Sequence, residues 1–237
     1  MEHMMNIGVL TEIFEKNYIL DESSKAKNLE PSETRRLISE LILSGGSASN
    51  FTSEENVYYE EVILKLYEEE IQSKIKWRNR MIELAKHVSV WSRDKSKVGA
   101  VLVSKKGGDI TLGYNGFPFG VKDCPDRYDE KKQKLNIIVH AEVNAIIAAG
   151  ARAADGHLYV AGKPICARCA GPIIQSGIKR VFAEKPLQKG EYEPPTDKNA
   201  TDWHEIGNLA ITMLKEAGVE CIFFTKTSDG YEYSDFS

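Results

Sequence analysis

The sequence contains no run of eighteen apolar residues, and it opens Met-Glu-His-Met-Met-Asn, with neither a basic region nor a long apolar stretch. Both absences argue against a membrane-spanning helix and a secretory leader, so a cytoplasmic protein with no membrane partner is expected. An excess of basic charge is missing too: 31 Lys and Arg stand against 35 Asp and Glu, a formal charge of -4. No extended basic surface for a polynucleotide is therefore expected, although a local basic pocket for one phosphate is compatible with this balance. Cysteine is scarce, with four in 237 residues. Cys124 and Cys221 are isolated, whereas Cys166-Ala-Arg-Cys169 is a close pair that reads as metal or redox chemistry rather than a disulfide framework. No internal repeat or low-complexity tract appears. What remains, 42% hydrophobic and 28% charged, is the composition of an ordinary globular chain.

The chain reads as two parts. Residues 1–75 are polar and charged, with helical spacing over Ser32–Leu43 and Glu54–Gln72 on either side of a flexible Ser44–Ser49 stretch, and form an expected N-terminal helical extension. From Lys76 to Ser237 strands and helices alternate, the pattern of an α/β layer architecture. A helix through Met81, Leu84, Ala85 and Val88 precedes a buried strand at Val98–Val103, which pairs antiparallel with Ile110–Tyr114. Residues 117–138 read as a long irregular loop, of the kind that covers a site. Further helices are predicted from His140 to Ala149, Cys166 to Ser176 and Trp203 to Ala217, and strands at His157–Val160, Arg180–Ala183 and Glu220–Phe224. Gln188–Lys198 is predicted to be a surface loop.

Chemistry concentrates at two predicted helix starts, His140-Ala141-Glu142 and Cys166-Ala-Arg-Cys169. Cys-x-x-Cys at a helix start lets both sulfurs face one point, and a helix N-terminus favours the thiolate form a metal requires. One imidazole and two thiolates give zinc three protein ligands. A structural site closes with a fourth, whereas a catalytic site leaves that position to water, whose pKa the metal lowers toward neutrality. Glu142, two residues past His140, can lie beside that water as a proton carrier without binding the metal. The bland alternatives are a closed zinc knuckle or buried thiols for the cysteines, and a carboxylate that merely favours the helix dipole for Glu142.

His-x-Glu with Cys-x-x-Cys is the signature of zinc-dependent nucleobase deaminases. Beyond it, Ser92-Arg-Asp-Lys-Ser-Lys-Val-Gly-Ala100, Gly113-Tyr-Asn-Gly-Phe-Pro118, Val139-His-Ala-Glu-Val-Asn-Ala-Ile146 and Ile173-Ile-Gln-Ser-Gly-Ile178 resemble the deoxycytidylate (dCMP) deaminase family over Trp91 to Phe224. The resemblance implies a three-layer α/β/α cytidine deaminase-like fold with a five-stranded mixed sheet. It implies hydrolysis of dCMP to dUMP and ammonia by zinc-activated water, with Zn2+ held by His140, Cys166 and Cys169 and Glu142 as proton shuttle. It places Asn115 on the sugar or phosphate side of the nucleotide and Arg93 or Lys97 near the phosphate. It also implies a homo-oligomer and allows a deoxynucleoside triphosphate effector.

The chain departs from the pattern at the metal. Ile165 stands between Pro164 and Cys166, and Gly162-Lys163 replace an apolar pair, which brings Lys163 near the substrate. Two other readings stay open: a deaminase of a modified cytosine nucleotide or other small aminated base, and a zinc-binding regulatory module without turnover. Asn115-Gly116 is also a common turn pair, Arg93, Lys95 and Lys97 also suit a solvated loop, and Cys124 reads as a free thiol.

Overall fold

The computed structural model describes residues 72–235 except 189, 194, 196–201 and 229. The expected N-terminal helices therefore lie outside the described residues, apart from the end of the second. Helix α1 is described over 72–89. It is followed by β1 (Gly99–Val103), β2 (Ile110–Tyr114), α2 (Pro125–Asp129), α3 (Lys131–Ile137), α4 (Ala141–Ala149), β3 (His157–Ala161), α5 (Ala167–Gln175), β4 (Arg180–Glu184), α6 (Trp203–Glu216), β5 (Glu220–Lys226) and β6 (Tyr231–Asp235).

The strands form one mixed sheet in the order β2-β1-β3-β4-β5-β6. β1 runs antiparallel to both β2 and β3, with Gly99 opposite Tyr114 on one side and Ala161 on the other. β3, β4 and β5 are parallel, so α5 and α6 must cross over between them. Alternation along the strands divides the core in two. Ala100, Leu102, Leu158, Val160, Val181 and Ala183 face α4, α5 and α6, while Val101, Val103, Tyr159, Phe182, Ile222 and Phe224 face Met81, Ile82 and Ala85 of α1. Helices on both faces explain why β1 is buried at every position and carries no polar residue. The result is the three-layer α/β/α arrangement. No helix among the described residues is long and apolar enough to cross a membrane.

Among the described residues the sheet has six strands where five were expected. The sixth, β6, pairs antiparallel with β5 and is fixed by its tyrosines to α1. Tyr231 donates its hydroxyl hydrogen to Glu83 and accepts one from Lys86 at 2.6 Å. Tyr233 bonds Asn79 at 2.5 Å, and the Arg78 guanidinium lies 5.8 Å from its ring. These are contacts over more than 140 residues of chain, which local periodicity does not encode. The second difference lies in 117–138, where the structure holds the short helices α2 and α3 rather than irregular chain. Glu130 builds the start of α3, accepting hydrogen bonds from the backbone N–H groups of Lys132 and Gln133.

Candidate metal and proton-transfer site

The C-terminal ends of β2 and β3 and the chain leading into β1 lie at one end of the sheet, and the site is built there. Gly113 of β2 lets α4 approach. A Cβ on Gly113 would stand 2.2 Å from the Ala141 carbonyl oxygen and 2.5 Å from the Ala145 nitrogen, so the helix rests on bare backbone. Beyond β2, Gly116 bridges antiparallel to Val139, which fixes the chain immediately before His140.

His140 is the N-cap of α4 and Cys166 the N-cap of α5, both in extended backbone and neither using its side chain as a cap. Each side chain is thereby left for other work. Cys169, one turn into α5, is buried. The three donor atoms converge: His140 Nδ1 lies 3.2 Å from Cys169 Sγ and 3.4 Å from Cys166 Sγ, and the sulfurs are 3.6 Å apart. Zinc–sulfur bonds of about 2.3 Å and zinc–nitrogen bonds of about 2.0 Å at tetrahedral angles would give edges of roughly 3.5–3.8 Å. The donor triangle therefore fits a tetrahedral ion on three of its corners. Among the described residues, this is the one group of three or more His, Cys, Asp or Glu side chains close enough to hold a metal.

Electrostatics agree with the geometry. The hydrogen bond from the Cys169 thiol, aided by His140, pulls the Cys166 thiol down to about 4. The same bond, with burial and nearby Glu142, drives the Cys169 thiol upward. The two sulfurs are thus coupled, and a dication in the triangle would favour the thiolate form of both. His140 is shifted upward by its hydrogen bond to Cys166. Glu142, in the first turn of α4, is 3% exposed. Burial raises its pKa, and its carboxyl group lies against the Cys169 thiol.

The remaining expected contacts are placed unequally. Asn115 is buried with both ends of its amide engaged: Oδ1 accepts from the Val98 N–H at 2.9 Å and Nδ2 donates to the Ser96 carbonyl at 2.8 Å. As placed, it shapes the 96–98 loop. Lys97 turns back to donate to the Ser92 and Val90 carbonyls. Arg93 is exposed and pairs with Asp123 at 3.5 Å. Lys163 is exposed on the loop after β3. That loop is tightly held: Gly162 has φ +107°, its N–H donates to Glu184 at 3.0 Å, and a Cβ there would meet the Lys97 carbonyl oxygen at 2.2 Å. Ile165, the residue separating Pro164 from Cys166, is 6% exposed and belongs to the core facing α5. The extra residue is absorbed by packing.

Ser92 and Asp94 carry no site role in the motifs, yet both are buried. With Asn115 and Glu142 they are the buried polar side chains of the described residues. Asp94 accepts from the Ser96 N–H at 2.9 Å and from Lys134 Nζ at 3.0 Å, and Ser92 Oγ accepts from the Asp94 N–H. An Asp two residues before the N–H it binds is a turn signal that the sequence does carry, in Asp94-Lys-Ser96. Its burial depends on Lys134, forty residues away.

Residues 73–185 match the model of the cytidine and deoxycytidylate deaminase zinc-binding region. The chain is 36% identical over 146 residues to an uncharacterized deaminase in the luxG 3′ region of Aliivibrio fischeri, covering 61% of this chain and 91% of that one. It is 31% identical over 166 residues to the deoxycytidylate deaminase of Enterobacteria phage T4, covering 52% and 77%. It is also 39% identical over 113 residues to a probable deoxycytidylate deaminase of Caenorhabditis elegans, of whose length it spans 57%. The solved dCMP deaminase of cyanophage S-TIM5, in complex with dCMP and dUMP, aligns at a TM-score of 0.45 with 25% identity, covering 62% of this chain and 96% of that one. A zinc-binding region matched across β1 to β4, with a His-Cys-Cys triangle inside it, makes this chain a member of the zinc-dependent cytidine and deoxycytidylate deaminase family.

Proposed function

We propose that the chain hydrolyses dCMP to dUMP and ammonia, with Glu142 carrying the protons and His140, Cys166 and Cys169 holding the zinc. The observation that carries this reading is a buried carboxylate beside a three-donor triangle, because three protein ligands leave one position open for water. Zinc bound there would supply Lewis acidity, making water a competent nucleophile near neutral pH. Glu142 takes a proton from the attacking water, delivers it to the ring nitrogen of the base, and completes the transfer to the departing amine. Its raised pKa suits both halves of that cycle, since the acid form must persist long enough to donate. Water adds to the amine-bearing carbon, the C–N bond breaks, and ammonia leaves with no oxidant or reductant involved.

A nucleotide rather than a nucleoside is favoured by the likeness to proteins named deoxycytidylate deaminase, including that of phage T4. Arg93 is the exposed cation proposed to meet the phosphate, and Lys163 a second candidate at the rim. Asn115 and Lys97 are proposed to act indirectly, by fixing the loop that carries Arg93. The catalytic domain is proposed to be Lys76–Ser237, which forms one compact unit. Purified protein incubated with dCMP, deoxycytidine and cytidine should release ammonia fastest from dCMP. Release from the nucleosides but not from dCMP would overturn the nucleotide assignment.

A further inference from the structure

Three consecutive residues ahead of β1 each meet an opposite charge on the segment between β2 and α4. Arg93 Nη1 is 3.5 Å from Asp123, Asp94 is 3.0 Å from Lys134 Nζ, and Lys95 Nζ is 3.1 Å from Asp129. The pairs differ in kind. Asp94 and Lys134 are 4% and 16% exposed, so their pair is a fixed anchor that is costly to break. Arg93 and Asp123 are 68% and 39% exposed and exchange partners easily.

Asp123 is nevertheless held in place. Tyr128 lies beside it, and burial together with the Asp123 carboxylate pushes the Tyr128 hydroxyl up to about 12. The Tyr128 ring stacks on Phe117 at 4.4 Å and 4°. Phe117 directly follows Gly116, whose backbone is bridged to Val139 beside His140. A carboxylate thus rests on the guanidinium proposed to receive the phosphate, on a segment joined through Phe117 and Gly116 to the strand pairing just before His140.

We propose that Asp123 is a specificity-determining residue that occupies Arg93 in the ligand-free protein and yields it to the substrate's phosphate. The inference rests on the dCMP reading above. A phosphate dianion offers guanidinium two parallel charge-assisted hydrogen bonds, and so displaces a single exposed carboxylate contact. Asp123 then acts as an internal competitor that weakens capture of nucleotides and has no effect on a ligand lacking phosphate.

The test is a double-mutant cycle on the full chain with Asp123→Asn, Arg93→Gln and both together. It reads KM for dCMP and the inhibition constant of deoxycytidine. Asp123→Asn is expected to lower KM for dCMP about two- to fivefold, the size of one exposed ion pair. Deoxycytidine binding should not move, and the same substitution in the Arg93→Gln background should change nothing. An unchanged or higher KM for dCMP, an equal drop without Arg93, or a parallel change for deoxycytidine would each overturn the proposal. A wild-type protein inert toward dCMP would instead sink the substrate reading, and this inference with it.

Discussion

Glu142→Gln is expected to lower kcat for dCMP by about 10²–10⁴-fold, the range associated with removing a general acid–base group, while zinc content stays at the wild-type level. The two halves of this expectation have separate origins. Zinc is proposed to be held by His140, Cys166 and Cys169, whose donor atoms lie within 4.8 Å of one another without any part of Glu142. The proton path, in contrast, has Glu142 as its carrier, and the amide of glutamine keeps the shape of the buried side chain while losing its basicity. Cys169→Ser separates the cases from the other side, since it should lose zinc and turnover together. Metal analysis and steady-state kinetics on the same preparations decide it. Turnover within tenfold of wild type in a zinc-loaded Glu142→Gln protein would show that another group moves the proton.

The second large effect comes from a residue that touches no substrate. Gly113→Ala is expected to destabilise the protein by about 3 kcal/mol, the upper end of the cost of overpacking, and to lower the midpoint of thermal unfolding by roughly 6–12 °C for a chain of this size. The reason is the added Cβ, 2.2 Å from the Ala141 carbonyl oxygen and 2.5 Å from the Ala145 nitrogen. Relief requires α4 to move away from β2, and α4 carries Glu142 and begins at His140. A displacement of about 1 Å in a catalytic group costs on the order of 10²-fold in rate. Turnover should therefore fall by about that factor even at temperatures where the variant is folded. Gly171→Ala is the comparison, because nothing beyond its chain neighbours lies within 4 Å of a Cβ there and the residue is helical. Helix propensity favours Ala there and the following Pro172 opposes it, so stability should stay within about 1 kcal/mol of wild type. Differential scanning calorimetry with dCMP kinetics on both variants checks the pair. Wild-type stability in Gly113→Ala would mean that the helix does not rest on that strand.

The meeting of His140, Cys166 and Cys169 was legible because two short motifs at helix starts encode both donor chemistry and direction. The hairpin partner Ile110–Tyr114 matched the structure at both ends, since turn residues bound it. β1 begins one residue later than expected, at Gly99. What the sequence hid depends on partners far along the chain. Asp94 sits between Arg93 and Lys95, two residues that also suit a solvated loop, yet it is buried against Lys134. Lys97 was expected near the phosphate and instead binds the Val90 and Ser92 carbonyls just past α1. β6 has no counterpart among the strands expected from the sequence, and gains its place from Asn79, Glu83 and Lys86. Charged side chains are poor predictors of their own environment because burial of a charge is decided by whichever opposite charge the fold delivers.

The central claim is the ligand set, and zinc K-edge X-ray absorption on the purified protein tests it most directly. Two sulfur scatterers are expected at about 2.3 Å and two nitrogen or oxygen scatterers at about 2.0–2.1 Å, with one sulfur lost in any residual zinc bound by Cys169→Ser. A shell of four sulfurs, or a shell unchanged by that substitution, would contradict it.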